Sequence, residues 1–146
     1  MKLSITWIGK TKEPAIQALT DEYLKRLTHY VEVEGVAVKD ESALRKYCAK
    51  GAGRRSALVL VDRRGKQLSS EELAKWIGNY RDSNPLPLVF AIGAASGFSD
   101  ETRKTATQIL SLGQMTLAHE LARVVLLEQL YRAFTILQGH PYHLDH

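Results

Sequence analysis

Residues 57–61 read Ala-Leu-Val-Leu-Val, five apolar side chains with no polar one between them. A strand with one wet face alternates apolar and polar residues, so this run needs cover on both faces. Helices on both sides of a mostly parallel sheet supply that cover, and the rest of the chain alternates strand and helix as such a sheet requires. The run is far shorter than the roughly 20 residues that cross a bilayer, so no membrane segment is expected.

Residues 2–8 mix β-branched and aromatic side chains and read as a first strand. Pro14 opens a helix whose apolar face is Ile16, Leu19, Tyr23 and Leu27. Residues 31–38 alternate as a second strand. Their apolar phase flips at Gly35, which predicts a bulge there. Leu44, Tyr47 and Cys48 mark a short helix, and residues 51–56 a basic, glycine-containing loop. Ser69 and Glu72 form the S-x-x-E box that caps a helix carrying Leu73, Trp76, Ile77 and Tyr80. Residues 87–92 are another buried strand. Ser99 is placed to cap a helix with Asp100 and Glu101 in its first turn, and residues 108–112 read as a last strand. Residues 118–137 make the strongest helix. Its apolar stripe is wider than one core face needs, so either it is central to the core or a second chain covers part of it.

The whole fits one domain of 146 residues, 45% hydrophobic and 25% charged, with no repeat and no linker. The net charge of +4 permits an RNA partner without requiring one. The single cysteine, Cys48, can form no internal disulfide, and the N-terminus lacks the apolar core of a signal peptide. Both point to the cytoplasm.

Ligands of parallel sheets lie beyond the carboxyl ends of the strands, so function is sought in loops 62–66, 93–97 and 113–118. Gly93-Ala94-Ala95-Ser96-Gly97 has neither Walker nor G-x-G-x-x-G spacing and reads equally as a plain tight turn. The stretch Ser111-Leu112-Gly113-Gln114-Met115-Thr116-Leu117-Ala118-His119 is a loop of mixed polarity running into the strongest helix. It is either a simple connection or a loop whose backbone groups face a planar ligand. The C-terminal segment holds His140, Tyr142, His143 and His146. A metal site through His140, His143, Asp145 and His146 has no standard zinc spacing and no cysteine, so no metal is expected. A tail folded over an active site is the stronger functional reading, and a solvated tail the plain one. The basic groups Lys10/Lys12, Lys25/Arg26, Arg54/Arg55 and Arg63/Arg64/Lys66 either touch phosphates or are simply solvated. No nucleophile motif is present.

Met1-Lys2-Leu3, Ile92-Gly93, Leu112 to His119, Arg123-Val124-x-Leu126-x-Glu128-Gln129-Leu130-Tyr131-Arg132-Ala133 and the ending His140-Pro141-Tyr142-His143 follow in this order. In them the chain resembles the RlmH-type ribosomal RNA large-subunit methyltransferases of the SPOUT class. The resemblance spans essentially the whole length and is most specific in the last third. It implies one α/β domain over residues 1–146, with a mostly parallel sheet and a C-terminal part threaded into a deep trefoil knot. It further implies a homodimer that transfers a methyl group from S-adenosylmethionine to N3 of a pseudouridine in helix 69 of 23S rRNA, on the assembled ribosome.

Carried over by residue, the resemblance implies cofactor binding by Val61, Gly93, Ala94, Gly113, Gln114, Met115, Thr116, Leu117 and Ala118. It places His119, Arg132, Tyr142 and His143 on the catalytic side. The imide N3 must lose its proton, a task for His119 or His143. Arg132 would stabilise the imidate or hold a phosphate, and Tyr142 would stack on the base. Four positions depart from the family pattern. Ala94 stands where a second glycine is usual, Ser96 for a glutamate, Ala118 for a proline, and Leu144 where a lysine or arginine follows the Tyr-His pair. These departures keep a second reading open, a non-catalytic ribosome- or RNA-binding protein with a degenerate cofactor site. A small metal- or nucleotide-dependent enzyme is the third.

Overall fold

The computed structural model describes residues 1–50, 55–94 and 96–145, with the side chains of residues 143 and 145 outside the description. Among these residues five strands and six helices follow one another, alternating up to α5: β1 (Lys2–Ile8), α1 (Pro14–Leu27), β2 (Glu32–Val38), α2 (Glu41–Lys50), β3 (Ala57–Gln67), α3 (Ser70–Ser83), β4 (Leu88–Ile92), α4 (Asp100–Arg103), β5 (Gln108–Ser111), α5 (His119–Leu137) and α6 (Tyr142–Asp145). The strands form one sheet in the order β2-β1-β4-β3-β5, every neighbouring pair parallel. The pairings establish the expected parallel sheet.

The unbroken apolar run is explained by two cores, one on each face. Ala57 and Val59 point with Leu88, Phe90 and Ile92 into a core closed by α1, α3 and α5. Leu58 and Leu60 point the other way, with Val89 and Ala91, onto Leu44 and Cys48 of α2 and onto Phe98. The period of two along each strand thus feeds both layers at once. Helix starts follow local chemistry. Pro14 sits in the first turn of α1. The Ser69 hydroxyl accepts from the Glu72 N–H while the Glu72 carboxylate accepts from the Ser69 N–H, so both halves of the capping box are made. Ser99 caps α4 as expected.

Two sequence expectations are corrected. The bulge at Gly35 is absent: β1 and β2 pair in unbroken register, with Ile5 opposite Gly35. The phase flip has another cause. A Cβ at Gly35 would stand 2.8 Å from Leu24 Cδ1 and 2.9 Å from the Trp7 ring, so the glycine makes room for two large side chains packed across the strand. Residues 62–66, read as a loop, instead belong to β3. The strand leaves β5 after the Val61–Leu110 pair and rejoins it at Lys66–Leu110, so residues 62–65 are an excursion inside a paired strand. Gly65 lets it return, because a Cβ there would lie 2.6 Å from the Ile109 carbonyl. Most of the basic loop 51–56, including Arg54, lies outside the described residues, as do Ala95 and His146.

Cys48 is buried in the second core, and burial pushes its thiol up to about 11. The thiolate is the reactive species, so the native protein is expected to resist a disulfide reagent at pH 8 and to release one thiol on denaturation. Full labelling of the folded protein within minutes would contradict this burial.

Candidate functional site

Val61 and Ile92 are partners at the carboxyl ends of β3 and β4, with Leu110 of β5 beside Val61. Beyond them opens a cleft floored by Val61, Ile92, Leu112, Leu117 and Ala122. Its walls are Gly93, Ala94 and Gly97 on one side and Gly113, Met115 and Thr116 on the other, with Asp62, Arg63 and His119 completing the lining. Most of the cofactor positions named from the sequence therefore converge, as does His119: Val61, Gly93, Ala94, Gly113, Met115, Thr116 and Leu117 all line the cleft. Gln114 and Ala118 do not; both are exposed, and Ala118 is the N-cap of α5.

Each wall has its own support. The buried Ser111 hydroxyl donates to the Gly113 carbonyl (3.0 Å) and lies 3.2 Å from the Gly113 N–H, which donates to it. Gly113 has φ +132, a conformation that side chains disfavour, and no atom stands within 4 Å of where its Cβ would be. The turn therefore sends residues 114–117 around the cleft and leaves room inside it. Gly93 is required by packing: a Cβ there would lie 2.9 Å from Phe98 Cζ. Ala94 is exposed and takes ordinary negative φ, so its methyl group brings no backbone strain.

The other wall is held by Asp62, whose side chain is 2% exposed. Its Oδ1 accepts from the Arg64 N–H (2.9 Å) and Arg64 Nε (3.1 Å), and its Oδ2 from Arg64 Nη2 (2.9 Å) and the Phe98 N–H (3.1 Å). Arg64 Nη2 also donates to the Phe98 carbonyl at 2.8 Å. The Arg64 guanidinium, against the cost of burial, holds the Asp62 carboxyl well below the usual carboxylate range. This clasp fixes the far end of loop 93–97. Arg63 reaches the opposite way, donating to Thr116 Oγ1 at 2.8 Å and bridging the cleft's two sides. Asp62, Arg63 and Gly97 fall in the loops where function was sought, and Ile92 and Leu112 in the motifs of the resemblance, but none of them, nor Ala122, was named as a cofactor or catalytic residue. The signal for Asp62 was available: an acidic residue directly after a strand buried on both faces.

Arg132 and Tyr142 lie elsewhere. Thirteen residues of α5 separate Arg132 from His119, a rise of about 20 Å along the helix. Arg132 donates to both carboxylate oxygens of Glu128 (3.2 and 2.9 Å), and the Tyr142 hydroxyl donates to Glu128 Oε2 (3.2 Å). The Tyr142 ring meets Tyr131 edge-on at 4.8 Å, and the Arg132 guanidinium lies 5.3 Å from the Tyr142 ring centre. Burial, reinforced by the Glu128 carboxylate, raises the Tyr142 phenol well above its ordinary range, so Tyr142 stays a neutral donor. The tail thus packs on the far half of its own α5. His143 falls within α6, and its side chain lies outside the described residues. Among the described residues no group of three or more His, Cys, Asp or Glu could hold a metal ion, and no helix is long and apolar enough to cross a membrane.

Sheet and cleft together define an α/β protein with an open cleft at the carboxyl ends of parallel strands, between two glycine-bearing loops, the usual ligand position of such sheets. The family model described as "Predicted SPOUT methyltransferase" matches residues 1–143. The chain belongs to the SPOUT methyltransferase family. It is 59% identical over 146 residues, the full length of both chains, to a protein of Koribacter versatilis named "Ribosomal RNA large subunit methyltransferase H". It is 41% identical over 152 residues, covering 98% of this chain and 99% of the relative, to a protein of the same name from Geotalea daltonii. Among solved structures it is similar in fold to a probable methyltransferase from Bordetella pertussis (TM-score 0.61, 13% identity, 90% of this chain and 93% of that one). It is also similar in fold to the SpoU methyltransferase AviRb from Streptomyces viridochromogenes, solved in complex with AdoMet (TM-score 0.54, 14% identity, 94% of this chain and 58% of that one).

Proposed function

We propose that the chain transfers a methyl group from S-adenosylmethionine to N3 of a pseudouridine in helix 69 of 23S rRNA on the assembled ribosome, acting as a cytoplasmic homodimer. The observation that carries the reading is the cleft, which gathers Gly93, Ala94 and Gly97, Leu112, Gly113 and residues 115–117, and His119 around one apolar floor. The shared name of the full-length relatives supports rRNA as the substrate.

The cleft suits S-adenosylmethionine. Its apolar floor can take one face of a planar heterocycle, and Gly113 and residues 115–117 line the cleft where backbone groups would meet its edge. Val61, Gly93, Ala94, Gly113, Met115, Thr116 and Leu117 would hold it, and Gln114 and Ala118 would support the same loop through their backbone. When bound, it supplies an electrophilic methyl group.

The chain's own residues then have to deprotonate and orient the imide. His119 lines the cleft at the start of α5, which supports its role as the acceptor of the N3 proton. Glu128 keeps Arg132 in one orientation and fully charged, suited to stabilise the imidate or hold a phosphate. Tyr142, neutral and packed against Tyr131, is suited to stacking. His143 would act on the same catalytic side. The 20 Å or so between His119 and Arg132 is too far for one chain to bring both to one base. Two chains solve this if the C-terminal half of one α5 meets the other's cleft. Leu121 of α5 remains 47% exposed and is available to such a contact.

The test is transfer of labelled methyl from S-adenosylmethionine to ribosomes lacking this modification, with mass mapping of the product. Label at N3 of the helix 69 pseudouridine is expected. Bound cofactor with no transfer would point to a different RNA target; neither binding nor transfer would favour a non-catalytic RNA-binding protein.

A further inference from the structure

We infer that the β1–α1 loop, residues 9–13, is a rigid finger that docks the RNA phosphate backbone at the cleft rim through Lys10 and Lys12. The inference rests on the proposed reading of the chain as an enzyme of rRNA, and it selects one of several basic clusters that the sequence leaves equivalent.

The structure sorts those clusters by what their charges already touch. Arg26 is paired with Glu22 at 2.7 Å, and Arg64 is committed to Asp62. Lys10 and Lys12 are both exposed, and among the described residues neither ammonium joins an ion pair; Lys25, Arg63 and Lys66 join none either, so what sets residues 9–13 apart is the way their backbone is held. A lysine without a counter-charge on the protein is free to replace a counterion on a phosphate.

The loop is held far more firmly than a solvated connection requires. Glu120 is 8% exposed, and its two carboxylate oxygens accept the backbone N–H groups of Lys12 (3.0 Å) and Glu13 (3.2 Å). Arg123 is 1% exposed; its Nη1 donates to Thr11 Oγ1 at 2.7 Å while its guanidinium covers the Trp7 ring at 4.0 Å. Gly9 turns the chain with φ +91, and its N–H donates to the Val38 carbonyl at 2.9 Å. Burying a carboxylate and a guanidinium to fix a surface loop carries a desolvation cost. A fixed loop offsets it by losing little entropy when its lysines bind.

Position completes the argument. Glu120 immediately follows His119, which lines the cleft, so the tether anchors the loop beside the place where the target base must enter. Backbone contacts of this kind carry no sequence information. They set the register of the RNA so that one base reaches the cleft. The exposed carboxylate of Glu13 opposes the two lysines from within the same loop, which gives a variant of opposite sign.

The experiment compares wild type, Lys10→Ala/Lys12→Ala, Lys10→Arg/Lys12→Arg and Glu13→Gln. Binding to deproteinised 23S rRNA is measured over a salt series, and methyl transfer to unmodified ribosomes in parallel. The alanine pair is expected to weaken RNA binding about tenfold and to flatten the slope of log affinity against log salt by about 1.4–2. Binding of S-adenosylmethionine and the melting temperature should stay at wild-type values. The arginine pair should restore both affinity and slope, and Glu13→Gln should tighten binding. Wild-type slope and affinity in the alanine pair would overturn the inference. So would reduced methyl transfer to ribosomes with unchanged binding to bare rRNA, which would mark an acidic protein surface as the partner. Absence of methyl transfer by wild type is a separate outcome; it counts against the proposed reaction, while the salt slope still decides the role of the loop.

Discussion

Replacing Asp62 by alanine is expected to lower stability by about 2–3 kcal/mol and to weaken S-adenosylmethionine binding at least tenfold. Removing one partner of a fully buried ion pair costs about 3–5 kcal/mol. The smaller figure applies here because Arg64 is 48% exposed and regains water, while the buried Phe98 N–H loses its acceptor. For a chain of this size the loss corresponds to a fall in Tm of about 5–10 °C. The effect on the cofactor follows from place: Asp62 pins Phe98, and Phe98 packs against Gly93 in the cleft wall. The pH dependence has a definite sign. Asp62 is depressed in the folded chain, so its stabilisation is fully present above its unfolded value, near 4, and is lost as pH falls through the lower folded value. Melting curves of wild type and variant should therefore converge in acid. Gly97→Ala provides a cross-check. Its Cβ would lie 2.6 Å from Asp62 Oδ2 at φ +81, so the clash should be partly relieved in the Asp62→Ala background and the two costs should not add. A Tm within 1 °C or so of wild type for Asp62→Ala would sink the clasp as a structural element.

His119→Ala and Arg132→Ala are each expected to lower methyl transfer by about a hundredfold or more, as loss of a proton acceptor or of a charge-stabilising group does. The informative measurement is a tagged heterodimer carrying one mutation in each chain. If the two halves of a reaction centre come from different chains, the heterodimer has one site with both residues and one with neither, and should recover about half the activity of wild type, as two-fold symmetry requires. If both residues served one centre within a chain, the heterodimer would stay at the level of its parents. The separation of the two along α5 and the packing of Tyr142 on Glu128 of its own helix favour recovery.

Much of the architecture is legible from short-range rules. The Ser69/Glu72 box, Pro14 and Ser99 announce helix starts because a cap is satisfied within a few residues of itself. The 57–61 run announces a strand covered on both faces because side chains alternate with a period of two. Several of the site positions were accessible for a different reason: the resemblance transfers them residue by residue, although no local pattern distinguishes Gly93 or Gly113 from a glycine in an ordinary turn.

What remained hidden depends on partners distant in sequence. Gly35 looks like a bulge until Trp7 and Leu24 are seen to need its space. Residues 62–65 look like a loop until β5, more than 40 positions later, is found on both sides of the excursion. The Asp62 clasp closes on Phe98 and the loop 9–13 on Glu120, separations that no periodicity encodes. Strand and helix identity, the parallel α/β class and the two-faced core follow from composition and spacing, since those are local or periodic demands of burial. Which carboxylate holds the cleft wall and which buried charges tether the loop at residues 9–13 follow only from the folded chain, because each is a matter of which distant groups satisfy one another's charge, volume and hydrogen bonds; the distance between His119 and Arg132 already follows from the helix that the sequence predicts.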